Sequence, residues 1–365
     1  MSRIVVAWSA SILLAVSLAT AAAENGRESN KKKFEFALIG DTGYTPLEAD
    51  LVTGLIHEMS GEKLELVVHV GDFMGVMASV PCTDAKFLAV RDQFDQSAHP
   101  FIYTPGDNEW VDCQFIGPVL PVERLEALRR IFFPGAGTDP LFSLGQRRML
   151  LESQSADPEH SKFRENKRWT VGEIMFVTVN VPDTDNQGVT RCLEFDSSNT
   201  CVRTGIDDSE WQERTPANVA WLNRAYDLAI AQNMKGLVVI AHATIIGGFT
   251  PTRFHPASPR YKAVLNVVTS RTKEFGGQVL LAHGDTHTFR VDQPYSGLFS
   301  PNVAPGVQQQ MQPHEVIENL TRVEVYGSTI ARRAGLSPQE WVRVTVDSDT
   351  VNVFTIQRGF STSER

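Results

Sequence analysis

The sequence predicts an α/β fold, and three observations carry that expectation. The earlier part of the chain alternates strand-like and helical patterns, β-α-β-α-β, the signature of a parallel layer with crossover helices. Five apolar runs stop at Asp, Asn or His, as buried strands do when they deliver a polar residue to the carboxyl edge of a sheet. The end of the chain is strand-rich and carries a hairpin signal.

Taken in order, residues 34–39 read as a strand, 47–59 as a helix and 64–70 as a strand. A second helical stretch, 85–96, leads to a strand over 101–104, and a short helix over 122–131 is ended by Pro134-Gly135. Residues 149–169 are polar and read as a loop or insertion, and 174–181 as a further strand. Residues 183–216 are rich in Asp, Asn, Ser and Thr and read as exposed loop. Val219, Leu222, Tyr226, Leu228, Ala229 and Ile230 recur at roughly helical spacing over 219–232, ahead of a strand at 237–241. Ser258-Pro259 reads as an N-cap and first-turn proline opening a helix to 275, with a partner strand at 278–282. Strands follow at 322–326, 341–346 and 351–356, the last two joined through Asp347-Ser348-Asp349.

The chain has 365 residues and 42% hydrophobic content, enough for a sizeable core, and the expected organisation is one domain over 34–360. A formal net charge of −9 argues against nucleic acid as a general partner, because such binding needs a basic field. Arg3, an apolar run over 4–18 and Ala21-Ala22-Ala23 have the order of a secretory signal peptide, 1–23, followed by a polar lead-in, 24–33. The expected location is therefore secreted or periplasmic, with no membrane attachment after cleavage. Cys82, Cys113, Cys192 and Cys201 suit two disulfides in such a compartment. Of the three possible pairings, 82–113 and 192–201 are favoured: the first two cysteines follow neighbouring strand ends, and the last two flank a turn-rich segment. Zinc is the competing reading, but no C-x-x-C pair is present.

The five strand-ending segments are FALIGDTGY (36–44), LVVHVGDFM (66–74), FIYTPGDNEW (101–110), LVVIAHATI (237–245) and VLLAHGDTHTF (279–289). A lone Asp after Gly is more often a turn former than a ligand; four such positions and a strand-ending His in one chain point to a convergent site. Their order and wording resemble the calcineurin-like metallophosphoesterases, whose purple-acid-phosphatase-like pattern runs GDxG, GDxxY, GNH followed by an acid, VxxH and GHxH. Here it stands as GDTG, GDFMG, GDNE, VIAH and GDTH. The resemblance implies a sandwich of two packed mixed β-sheets flanked by helices.

It also implies roles. Asp41 would ligate a first metal, Asp72 would bridge two metals, and Asp107 and His242 would ligate the second. Asp285 stands where the first His of GHxH falls, and His287 at the second. Gly75 stands where the pattern has its tyrosine, which leaves the first metal with Asp41, Asp72 and His287 unless Tyr44 or a water contributes. Asn108 replaces the His that assists the leaving group, and a carboxamide cannot donate a proton as an acid. Asp41, Asp72, Asp107 and Asp285 together supply about −4, which cancels two divalent ions and favours hard cations such as Mn, Mg or Fe over Zn. His69, inside an apolar run, reads as a core residue, and His283 is the second candidate for the place given to Asp285.

The expected function is an exported, metal-dependent phosphoric ester hydrolase with one or two divalent ions, cleaving a small phosphomonoester or phosphodiester by attack of a metal-bound water. Asp72, His242 and Asn108 would form the catalytic group, and Asn108, Arg253 and His255 would meet the substrate. The alternative is a catalytically degenerate member that binds an anion or a partner. Oligomeric state is not legible.

Overall fold

The computed structural model describes residues 31–76, 80–117, 119–135, 137–188, 192–204, 208–246, 248–250, 253–255, 258–295, 316–328 and 340–359. The expected signal peptide, residues 1–23, falls outside them. Among the described residues no helix is long and apolar enough to cross a membrane.

Strand β1 (Lys33–Ile39) lies parallel to β2 (Val67–His69), which lies parallel to β3 (Phe101–Tyr103). On its other edge β1 pairs antiparallel with β16 (Trp341–Asp347), which pairs antiparallel with β17 (Phe354–Gly359). The expected C-terminal hairpin is therefore present and completes this five-stranded sheet. Helices α1 (Pro46–Ser60), α2 (Asp84–Phe94) and α3 (Pro121–Phe132) cover its outer face, where Val52, Leu55, Phe87, Phe94 and Leu128 pack on Ile39, Val67 and Phe101. Thr45 and Thr83 start the first two helices: each hydroxyl accepts a backbone N–H three residues on, at 3.2 Å. Pro121 occupies the first turn of α3, where its missing N–H has no intrahelical partner to lose.

A second, eight-stranded sheet runs β14 (Arg290–Asp292), β15 (Leu320–Glu324), β13 (Gln278–His283), β10 (Gly236–Ile240), β7 (Ile174–Thr178), β6 (Lys167–Val171), β5 (Leu150–Ser153) and β4 (Leu141–Phe142). Its central strands β7, β10, β13 and β15 are parallel, and the near-continuous apolar sequence of β7, β10 and β13 follows from being covered on both faces. Helices α4 (Asp208–Ala231) and α5 (Lys262–Phe275) close the outer face. Between the sheets, Phe36, Leu38, Val68 and Ile102 meet Trp169, Phe176, Val238, Ile240 and Leu280. Each such side chain contributes about 1.5–3 kcal/mol by leaving water. The result is two packed mixed sheets flanked by helices.

Two expectations need correction. Residues 149–169 are not a loop, because they contain β5 and the start of β6. Their polar residues pair within the sheet, Glu152 with Arg168 across the β5–β6 ladder. Residues 183–216 are not simply exposed loop either. They include a ribbon, β8 (Cys192–Phe195) with β9 (Cys201–Thr204), and the first turns of α4, with Pro216 inside that helix. Their polar side chains serve a buried network: Arg129 pairs with Glu165 at 2.7 Å and approaches Glu210 at 3.4 Å, while Arg214 donates to Asn186 at 2.7 Å and to the Asn180 carbonyl at 3.1 Å. Buried charges persist only when paired, and composition alone reads them as surface.

Cys82 and Cys113 form a disulfide. The side chains of Cys192 and Cys201 lie outside the described residues. The 82–113 bond closes a stretch with a sequence separation of 31 and ties the loop after β2 to the one after β3. Chain-entropy arguments value such a closure at about 3–4 kcal/mol. Replacing both cysteines by Ser should lower unfolding stability by about 2–4 kcal/mol in urea titration; an unchanged midpoint would deny the bond a structural role.

Candidate metal centre

The parallel strands of both sheets end on one side, and the residues after them converge. The ligand atoms of Asp41, Asp72 and His242 lie within 4.8 Å of one another, and so do carboxylate oxygens of Asp107, Asp183 and Asp285. His242 sits at the boundary, its Nε2 3.5 Å from Asp72 Oδ1 and 3.4 Å from Asp107 Oδ1. His287 Nε2 is 3.5 Å from Asp41 Oδ1.

The backbone is bent to make this possible. Asp41, Asp72, Asp285 and His287 all have positive φ, at 51°, 59°, 82° and 60°. Each such non-glycine conformation costs about 1 kcal/mol or more and persists only where the surroundings fix it. Here they do. The Asp285 N–H donates to both Asp41 oxygens at 3.0 and 3.1 Å, and the Asn108 N–H donates to Asp72 Oδ1 at 3.0 Å. Glu109 ties the loops together, its Oε1 accepting from the backbone of Asp72 at 3.2 Å, the backbone of Gly106 at 2.6 Å and the Tyr103 hydroxyl at 2.6 Å. At Gly71 (φ +109°) a Cβ would lie 2.6 Å from His242 Nδ1, so only glycine lets the two segments approach.

Tyr44 answers the absence of a tyrosine at Gly75. A Cβ on Gly75 would come within 3.0 Å of the Tyr44 side chain, so the glycine opens the space that Tyr44 fills. The Tyr44 hydroxyl lies 2.8 Å from Asp72 Oδ2 and 3.0 Å from His287 Nε2. His69 is fully buried among Phe94, Phe101 and Tyr103, 3.0 Å from Thr42 Oγ1, and burial pushes its imidazole down to about 3. It is a core residue. His283 turns its Nδ1 to the Gly284 carbonyl at 2.9 Å, and burial together with Arg322 holds it well below the usual range. Asn108 is buried at the edge of the cluster. Arg253 and His255 fall on β12 (Arg253–His255), which pairs antiparallel with β11 (Gly248–Thr250), and their side chains lie outside the described residues. Asp183, Glu109 and Thr184 were not anticipated. For Asp183 a signal existed: the run from Ile174 to Val181 is a sixth apolar stretch that stops at a carboxylate.

Electrostatics define what the site needs. Among the described residues the ion-pair partners of Asp41, Asp72, Asp107, Asp183 and Asp285 are the imidazoles His242 and His287, and no Lys or Arg pairs with them. Burial first, then Glu324 and Asp107, push Asp41 up to about 7, against the pull of His242. Burial raises Asp72 and Asp285 well above the usual carboxylate range, with neighbouring acids adding to it. Burial alone would depress His242, but Asp72, Asp107 and Asp41 outweigh it and hold its proton well above the ordinary imidazole value. Asp107 goes the other way, because His242 beside it more than offsets its burial. The site thus favours added positive charge, which a cation would supply. The donor set fits a divalent ion: His242 directs Nδ1 to the Val70 carbonyl at 3.0 Å, which leaves Nε2, fully buried and without a hydrogen-bond partner, facing the carboxylates.

No protein-family model and no curated protein matches the chain. Among solved structures, a dimetal phosphatase from Danio rerio is 12% identical over 86% of this chain and 93% of its own, with a TM-score of 0.45. A 5'-nucleotidase from Candida albicans is 10% identical over 89% of this chain and 50% of its own, with a TM-score of 0.39. The protein TT1561 of Thermus thermophilus is 10% identical over 90% of this chain and 98% of its own, with a TM-score of 0.40. At these identities and TM-scores none of them transfers an activity. In the order of its motifs and in its two packed mixed sheets the chain resembles the calcineurin-like metallophosphoesterases.

Two outcomes follow. Tyr44→Phe removes a hydroxyl that orients Asp72, so divalent-cation affinity should fall about 10–100-fold in calorimetric titration, the usual weight of an outer partner. Unchanged affinity would remove Tyr44 from the site. The raised carboxylates and raised His242 hold protons in the folded state that the unfolded chain gives up, so the metal-free fold loses their stabilisation as pH rises through these values. A cation displaces those protons. Its stabilisation, read as the rise in melting temperature with saturating Mn2+, should therefore grow from about pH 5 to about pH 8; a rise independent of pH would contradict the proton-for-metal exchange.

Proposed function

We propose that this chain is a metal-dependent phosphoric ester hydrolase acting on a small phosphorylated substrate. The observation that carries the proposal is the buried Nε2 of His242, without a hydrogen-bond partner, facing carboxylates that no Lys or Arg among the described residues neutralises. Asp41 and Asp72 would hold one cation and Asp107 and Asp285 a second; His242, which its motif gives to the second, stands between them and groups with Asp41 and Asp72, and His287 lies beside the first. A divalent ion held there supplies Lewis acidity and positive charge for a phosphate.

The chain's own groups do the rest. Asn108 N and Tyr44 Oη hold the two oxygens of Asp72 in place at 3.0 and 2.8 Å. The Asp285 N–H fixes Asp41, and burial keeps bulk water from Asp41 and Asp72. Asn108 can donate an Nδ2–H hydrogen bond to a phosphoryl oxygen but cannot protonate a leaving group. Esters with good leaving groups, such as aryl phosphates, therefore suit the site best. The apolar run at 4–18 and the Cys82–Cys113 disulfide support reading the protein as exported.

The second reading, a degenerate member that binds without turnover, is favoured by Asn108 in place of an acid. It too needs a cation, since a metal-free cluster of carboxylates repels an anion. Screening aryl phosphate mono- and diesters with Mn, Mg, Fe and Zn separates the two. We expect turnover that disappears with chelation and falls more than about 100-fold in Asp72→Asn, because outer partners alone are worth up to that. Stoichiometric metal with no turnover of any ester would favour the binder.

A further inference from the structure

We propose that Asp183 is a cation ligand, delivered by a sixth strand end, and that with Asp107 and Asp285 it forms an oxygen-rich position for a hard divalent ion such as Mn2+, Mg2+ or Ca2+. The proposal rests on the metal-dependent reading above and adds a residue that lies outside all five motifs.

Register places Asp183 at the site. Strand β7 is parallel to β10, and the pairing continues past both strand ends. The Val179 N–H donates to the Ile240 carbonyl and the Ala243 N–H to the Val181 carbonyl, each at 3.0 Å. His242 lies between those two contacts, so the segment that ends at Asp183 runs alongside it. Asp285 follows β13, the next strand over.

The side chain is held, not loose. Tyr261 Oη donates to Asp183 Oδ1 at 2.6 Å and accepts the Asn186 N–H at 3.1 Å. After Asp183 come four non-glycine residues of positive φ, Thr184 to Gln187, at 51°, 58°, 53° and 72°. Buried Arg214 pins this left-handed turn through Asn186 Oδ1 at 2.7 Å. The turn aims Thr184 Oγ1 at Asp107 Oδ2 and at Asp112 Oδ1.

Charge then calls for an ion. Carboxylate oxygens of Asp107, Asp183 and Asp285 lie within 4.8 Å of one another. Neutral hydroxyls, Thr184 and Tyr261, orient two of the three carboxylates without neutralising them. Independently of the acids, the fully buried Nε2 of His242, with no hydrogen-bond partner, borders this gap, 3.4 Å from Asp107 Oδ1 and 3.5 Å from Asp72 Oδ1. Carboxylate-rich sites suit hard, oxygen-preferring cations.

Equilibrium dialysis of the full chain against Mn2+ tests the assignment. Wild type should hold two equivalents and Asp183→Asn one, whereas Asp185→Asn, two residues along, should keep two. Asp183→Asn with wild-type content and affinity overturns the proposal, and wild type with no metal at all overturns the metal-dependent reading beneath it. Carbodiimide labelling of wild type, read by mass spectrometry, decides the case even if the variant does not fold or the stoichiometry differs. Mn2+ should protect Asp183 and leave the exposed Asp92 unchanged; equal labelling of Asp183 with and without Mn2+ overturns the assignment.

Discussion

Like charges gathered in a low-dielectric space repel strongly, and the site depends on holding carboxylates together against that repulsion. Asp41 and Asp72 are buried, Asp107 nearly so, and Asp183 and Asp285 half-buried beside them. In a dielectric near 20, two unit charges at 4 Å interact by about 4 kcal/mol. The chain opposes this with rigidity. Two sheets packed face to face bring strand ends from both to one edge, and backbone N–H groups from Asp285 and Asn108 take the carboxylate oxygens. Burial raises the proton affinity of Asp41, Asp72 and Asp285, and the neighbouring carboxylates raise that of His242.

That constraint explains the local anomalies. Left-handed backbone at Asp41, Asp72, Asp285 and His287 is strain that helps aim side chains inward. Glu109, itself buried, spends its oxygen Oε1 on two backbone N–H groups and the Tyr103 hydroxyl, locking the loop after β3 to the loop after β2. Lys167, on β6, donates across the sandwich to the Tyr103 carbonyl and lies 4.2 Å from the centre of the Phe133 ring, and burial lowers its ammonium to about 7. It joins the second sheet to the strand that delivers Asp107. These contacts tie the site's loops together although no described arginine or lysine pairs with its carboxylates.

Much of this was legible in the sequence, for identifiable reasons. Parallel strands covered on both faces are apolar throughout, so 34–39, 64–70, 101–104, 237–241 and 278–282 stand out, and their polar stops mark the site edge. Strand β15 was displaced by two residues, from 322–326 to Leu320–Glu324, because the apolar pattern continues through Val325 beyond the ladder. Strands β5 and β6 were missed because their charged residues pair with each other. Asp183 was missed for a related reason. Its neighbours are polar because they solvate a buried ionic network, Arg129–Glu165–Glu210–Arg214, and periodicity cannot separate that from a solvated loop. Tyr44 stood in plain view in GDTGY, but its role follows from the space opened at Gly75, which only three dimensions reveal.

The account stands or falls on where a cation binds. Crystals of the metal-stripped protein soaked in Mn2+, with diffraction recorded at the manganese absorption edge, give that position directly. The account predicts an anomalous peak among Asp41, Asp72 and His242, within coordination distance of His242 Nε2. Full-occupancy Mn2+ elsewhere on the molecule, with no peak at His242, would contradict it.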